Sequence, residues 1–229
     1  MNDKKSPIYQ TRIIHLARAA LRRAADAGIP PAYMRIGQDG FAKLLSKTYY
    51  AKYKTSVESI AARVFDRPES LLKIPFILVD GGTREERKKA GFAILFRLIS
   101  CDKSGHYTDC TELIHKLQNM DTIHEMTRDE RADAIKRQDI VFVGDFRPSP
   151  VRPYSEGCVY LDEILEHRLN YRKPTIISFY APLSAMKDDC REGVNDSGLY
   201  GIYMEQFANE ISNSTYETTT TLRIHVGVD

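Results

Sequence analysis

The chain has 229 residues, 42% of them apolar and 28% charged, which fits one α/β domain with an extension, or two small domains, and excludes a disordered chain. No run approaches the ~18 apolar residues of a membrane span. The opening MNDKKSPIYQ is polar and lacks the apolar core of a secretory signal, so the expected location is the cytoplasm, with no membrane partner. The net charge of +2 conceals an asymmetry: residues 1–54 carry eleven Lys/Arg against three acids, and the remainder carries 22 basic and 28 acidic residues. A basic arm beside an acidic body points to a polyanion or an acidic protein surface as partner.

Residues 7–27 have helical periodicity, with Ile13, Leu16, Ala17, Ala20, Leu21 and Ala24 on one stripe and Arg12, Arg18, Arg22 and Arg23 mostly off it. Gly28 and Pro30-Pro31 stop this helix and are expected to hold it off the core. Further helical stretches are expected over 40–53 and 55–66. Residues 33–54 interleave Tyr33, Phe41, Tyr49, Tyr50 and Tyr53 with Arg35, Lys43, Lys47, Lys52 and Lys54. Rings among cations suit single-stranded DNA. They equally suit a protein partner, or an amphipathic region that packs its rings on the core and shows its lysines to water.

From about residue 71 short apolar runs alternate with helical runs, the pattern of a parallel sheet built from βαβ units. Strands are expected at 74–79, 106–110, 140–143, 174–180 and 220–226, with helices at 88–99, 111–119, 161–171 and 200–211. Cys101, Cys110, Cys158 and Cys190 form no C-x-x-C pair, and the six histidines are scattered, so isolated thiols and no metal site are expected.

The first strand and its turn, IPFILVDGGTREERKKAGF, sit where a phosphate-binding loop would, and that loop requires G-x-x-x-x-G-K-[ST]. Gly82 and Lys88 stand at the spacing of the first glycine and the lysine. Arg87 occupies the second glycine position, Lys89 the Ser/Thr position, and Glu85 and Glu86 put carboxylates where an anion would sit. The same residues are explained without a ligand as the charged first turn of a helix, since acids near a helix N-terminus are favourable. The strand IVFVGDF carries Asp145 at the place of a magnesium-holding acid. In one register Gly144 replaces the first acid of the usual pair; in the other Phe146 replaces the second.

The segment from Leu161-Asp162-Glu163-Ile164-Leu165 to Arg168, followed by Arg172-Lys173-Pro174-Thr175-Ile176-Ile177, resembles the bacterial helicase-loader and IstB-type AAA+ ATPase family (DnaC/DnaI-like). Gly28-Ile29-Pro30-Pro31 and the closing LRIHVGVD resemble the turn before that family's core and its last strand. The resemblance runs over most of residues 27–229. It implies an α/β fold: a three-layer parallel-sheet AAA+-like core over 71–229, preceded by a small, basic helical region over 1–70. It also implies a replicative helicase, or another replication or transposition protein, as the partner held by the N-terminal region.

The departures from the family's pattern share one direction. The polar sensor after the fourth strand is replaced by Phe179 or Tyr180, and Glu210 stands near the expected arginine finger, in a stretch without arginine from 192 to 222. With Arg87, Lys89 and the incomplete acid pair, this makes Gly82, Lys88, Lys89, Asp145 and Tyr180 a degenerate nucleotide site. The leading expectation is a non-hydrolysing binding module of a mobile element or phage, without cofactor. Its N-terminal cations Arg12, Arg18, Arg22, Arg23, Lys43, Lys47, Lys52 and Lys54 would face the partner or DNA. The alternatives are an ATPase that holds ATP and magnesium weakly through Lys88 and Asp145, and a homo-oligomeric assembly protein.

Overall fold

A computed structural model describes residues 7–118, 127–146, 156–181 and 217–227. The helix expected over 200–211, with Glu210, lies outside these residues, as does the side chain of Arg12.

Helix α1 (Pro7–Asp26) ends at Gly28, whose φ of +80° is the left-handed conformation that closes helices. The expected 40–53 helix is instead two short ones, α2 (Gln38–Ala42) and α3 (Lys47–Ala51). Ser46 breaks the run by capping α3 through a hydrogen bond from the Tyr49 amide at 3.2 Å. Helix α4 (Val57–Asp66) is capped in the same way by Ser56.

Strands β1 (Phe76–Gly81), β2 (Gly105–Asp109), β3 (Ile140–Phe146), β4 (Thr175–Phe179) and β5 (Thr221–Val226) form one parallel sheet in the order β2-β3-β4-β1-β5. Helices α5 (Arg84–Ile99), α6 (Cys110–Gln118), α7 (Arg128–Arg137) and α8 (Glu156–Asn170) connect or flank them. Helix α5 begins four residues before the expected start. Thr83 and Glu86 form a reciprocal capping box, so residues 84–87 are its first turn rather than a loop. Helix α7 escaped the periodicity because it is nearly all charged, although the same Thr-x-x-Glu box, Thr127 with Glu130, marks its start.

Alternation along the strands divides the core into two layers. Ile77 and Val79 of β1 face α5 and the N-terminal helices, together with Phe142, Ile176 and Ile224. Phe76 and Leu78 face α6, α7 and α8, with Val141, Phe146 and Phe179. The N-terminal segment belongs to the first layer: Ala24, Ala27, Ile29, Phe41, Tyr50, Ile60 and Val64 are buried in it. It also covers both sheet edges. The Tyr107 amide of β2 donates to the Ala27 carbonyl at 2.8 Å, and the Ser46 amide donates to His225 of β5 at 3.1 Å. The α1 C-terminus is therefore docked on the core, not held off it, because the Ala27 carbonyl, between α1 and Gly28, accepts from the otherwise open β2 edge.

At the amino end of the strands Arg168 of α8 is fully buried. It donates to Thr175 Oγ1 at 2.8 Å and to the carbonyls of Gln138 at 2.8 Å and Pro174 at 2.6 Å, which ties α8 to the starts of β3 and β4. Burial pulls its pKa down to about 9. This arginine, part of the family-like segment, is a structural clamp at the opposite end of the strands from the site below. No helix among the described residues is long and apolar enough to cross a membrane.

Candidate functional site

The connection leaving β1 runs toward β2, opposite to those leaving β2, β3 and β4. The carboxyl end of β1 is thus the switch point where open α/β sheets form a crevice. The chain turns there through Gly81 (φ +80°) and Gly82 (φ +46°) into α5. A Cβ at Gly81 would collide with the Val226 carbonyl and the His225 ring, so only glycine fits the turn.

Arg87 lies under this turn, 2% exposed. Its Nη1 donates to the carbonyls of Gly81 and Gly82 at 2.5 and 2.6 Å, its Nε to Phe179 at 2.8 Å, and its Nη2 to Tyr180 at 2.8 Å. The guanidinium fork thus ties the β1–α5 turn to the end of β4. Burial lowers its pKa, and the charges of Asp80 and Asp145 partly offset that effect. On the outer side of the turn, Glu86 accepts from the Thr83 amide at 2.7 Å and from the Thr83 hydroxyl at 2.8 Å. That carboxylate meets an amide at the start of α5, where a bound anion would look for one.

Asp145, the last but one residue of β3, has a φ of +52°, beside an irregularity in the β3–β4 register between Val143 and Phe146. Its side chain is 3% exposed and carries two cations from one face of α5, four residues apart. Arg84 grips it with both prongs, Nε to Oδ1 at 2.8 Å and Nη2 to Oδ2 at 2.5 Å; Lys88 Nζ lies 2.6 Å from Oδ2. Burial by itself raises the Asp145 pKa, but the hydrogen bonds from Arg84 and Lys88 outweigh it and hold the carboxyl at about 2. Those same bonds raise the pKa of Arg84. Asp109, at the end of neighbouring β2, is pushed upward by burial and by its hydrogen bond with Asp145.

The remaining members of the expected site are dispersed. Lys89 points away, 3.7 Å from Glu85. The Tyr180 ring is 42% exposed and lies under the Arg84 guanidinium, 5.5 Å from centroid to Cζ. Gly82 lines an open pocket of about 530 Å³ with Ser46, Thr83, Glu86, His225, Val226 and Gly227. Among the described residues no lysine or arginine lines it. Behind the pocket, buried Asp80 pairs with Arg223, and the His225 ring stacks on Tyr49 at 4.2 Å.

Three participants were missed from sequence: Arg84, Asp109, and Arg87 as a clamp rather than a defect. The capping-box spacing Thr83-x-x-Glu86 would have revealed Arg84, because it starts the helix at residue 84 and puts Arg84 and Lys88 on one face.

Among the N-terminal cations, Arg18, Arg22, Lys43, Lys47, Lys52 and Lys54 are exposed, and Arg23 pairs with Asp102 at 2.8 Å. The rings between them are turned inward. Phe41 and Tyr50 are buried, Tyr33 stacks on Phe92 at 4.7 Å, and Tyr49 is taken up by His225. The pattern is that of an amphipathic region packing its aromatics on the core, and these rings are not arranged as a platform for bases. The described part of α1 leaves Leu16 and Leu21 61% and 47% exposed, with Ile14 also exposed.

The sheet order, the switch-point crevice and the flanking helices define a three-layer α/β fold built on a parallel sheet. Among solved structures, the crystal structure of the DnaC helicase loader matches with a TM-score of 0.56 at 12% identity, covering 86% of this chain and all of that one. The crystal structure of DnaI matches with a TM-score of 0.51 at 14% identity, covering 86% and 91%. The chain has the helicase-loader fold. No protein-family model and no curated protein matches the sequence.

Proposed function

We propose that this chain is a non-hydrolysing helicase-loader-like protein, a binding module on the replication or transposition machinery of a mobile element or phage, with a replicative helicase as partner. The observation that carries this reading is Arg87. In a working phosphate-binding loop a glycine at that position lets the backbone wrap the phosphates. Here a buried guanidinium takes the space and fixes the turn through four carbonyl contacts. The groups present do not suit a magnesium–triphosphate: Lys88 is paired with Asp145, Glu86 covers the Thr83 amide that caps α5, and Lys89 has no hydroxyl to offer a metal. The helicase as partner rests on the likeness to a structure described as a helicase loader. It also draws on the exposed apolar residues Leu16 and Leu21 beside Arg18 and Arg22 on α1, which suit docking in a partner's groove.

One observation favours a second reading. Lys88 and Asp145, the two groups an ATPase would need, are brought together. Titration calorimetry with Mg²⁺–ATP decides between the two. The expected result is a dissociation constant no better than about 1 mM, a binding free energy near −4 kcal/mol, and no hydrolysis above background. A micromolar constant that disappears in Lys88→Ala would establish the ATPase instead.

A further inference from the structure

The pairing of two α5 cations with one strand-end carboxylate has a consequence for the same site, and it rests on the non-hydrolysing reading above. Arg84 and Lys88 sit one helical turn apart and converge on one point, the Asp145 carboxylate. A planar guanidinium fork plus a lysine, at the start of a helix, is an arrangement that receives a multiply charged oxyanion such as a phosphoryl group. Asp145 satisfies both cations with its two oxygens, its backbone lies in the left-handed region, and the Asp109 carboxyl stands beside it in hydrogen-bond contact. Arg84 is still half exposed, so the cation pair lies at the surface and not in a closed cavity.

We infer that Asp145 is an autoinhibitory carboxylate: it occupies the Arg84–Lys88 cation pair in the place of a phosphoryl anion and keeps a latent anion site closed. The clasp bridges the first turn of α5 to the end of β3, the two elements that a bound metal–nucleotide would otherwise connect. It therefore makes the crevice indifferent to nucleotide by internal competition, in addition to the missing glycine.

The test is the full-length protein titrated with inorganic tripolyphosphate. Asp145→Asn keeps the side chain's shape and removes its charge. The expected result is weak binding to the unmodified protein, at least about tenfold tighter binding to Asp145→Asn, the scale of one released charge-assisted contact, and loss of that gain in Asp145→Asn/Lys88→Ala. Equal affinities for the unmodified protein and Asp145→Asn, or a gain that survives Lys88→Ala, would overturn the clasp. If Asp145→Asn does not fold, amine acetylation of the unmodified protein decides. Lys88 should react about tenfold more slowly than Lys89, as a lysine held in a buried ion pair does, and equal reactivity would overturn the inference. Hydrolysis of ATP by the unmodified protein is a separate outcome: it would overturn the non-hydrolysing reading, whereas an unchanged Asp145→Asn affinity overturns only the clasp.

Discussion

Arg87 shows how a residue that looks like a broken motif becomes a structural part. Its guanidinium donates to four carbonyls, two in the β1–α5 turn and two at the end of β4. Restoring the motif with Arg87→Gly would leave those carbonyls in a buried void, at a cost of about 3 kcal/mol or more, since hydrogen bonds to charged groups are worth about 1.5–3 kcal/mol each. The expected outcome is a lower urea midpoint with no gain of ATP binding; an unchanged midpoint would show that the clamp is dispensable. Asp162 on α8 offers a second residue-scale test. It is buried, its Oδ1 has no hydrogen-bond partner among the described residues, and burial, with Glu166 nearby, raises its pKa to about 7. Its folded-state pKa lies above the unfolded value of about 3.9. Its contribution is therefore fully present below about pH 4 and is lost as the pH rises through 7. Asp162→Asn should melt higher than the unmodified protein at pH 8 and converge with it toward pH 4. Asp145 has the opposite sign, its contribution being present above about pH 4 and lost as the pH falls toward 2.

At the scale of elements, α1 carries two roles along its length. Leu16 and Leu21 face water, and Ala24 and Ala27 are buried against the core. Leu16→Lys with Leu21→Lys should change stability by no more than about 0.5 kcal/mol, as exposed substitutions do. In the proposed function the same pair should abolish co-purification with the helicase. Ala24→Asp should lower the melting temperature sharply, because it buries an unpaired charge. Retained helicase binding in the double-lysine variant would move the docking surface elsewhere. The start of α5 was legible from Thr83-x-x-Glu86, as was that of α7 from Thr127-x-x-Glu130. Both depend on a local spacing rule. The break between α2 and α3 was not legible, because it depends on Ser46 being pulled onto β5.

The described residues form one sheet whose two edge strands each hydrogen-bond with the N-terminal segment. Removal of residues 1–21 should leave the melting temperature nearly unchanged. Removal of residues 1–29 takes away Ala24, Ala27 and Ile29 from the core and the Ala27 carbonyl from the β2 edge. Circular dichroism melts of the two truncations should therefore differ by several degrees; a loss of about 2 kcal/mol corresponds to roughly 4–8 °C for a chain of this size. Equal melts would mean that the edge is not stabilised by this segment.

The sequence by itself determined the alternation of strands and helices, the α/β class, the position of the β1–α5 turn and the helicase-loader resemblance. Periodicity and turn residues are local properties that the chain carries before it folds. It also displayed Arg87, Lys89 and Gly144 as departures, because a motif is a pattern of residue types. Tertiary structure alone decided what those departures do. That Arg87 reaches the carbonyls of β4, that Asp145 gathers Arg84 with Lys88, and that Tyr49 stacks on His225 all depend on residues from 61 to 176 positions apart. Such contacts follow from the order of strands in the sheet, which brings the ends of β1, β3, β4 and β5 to one crevice.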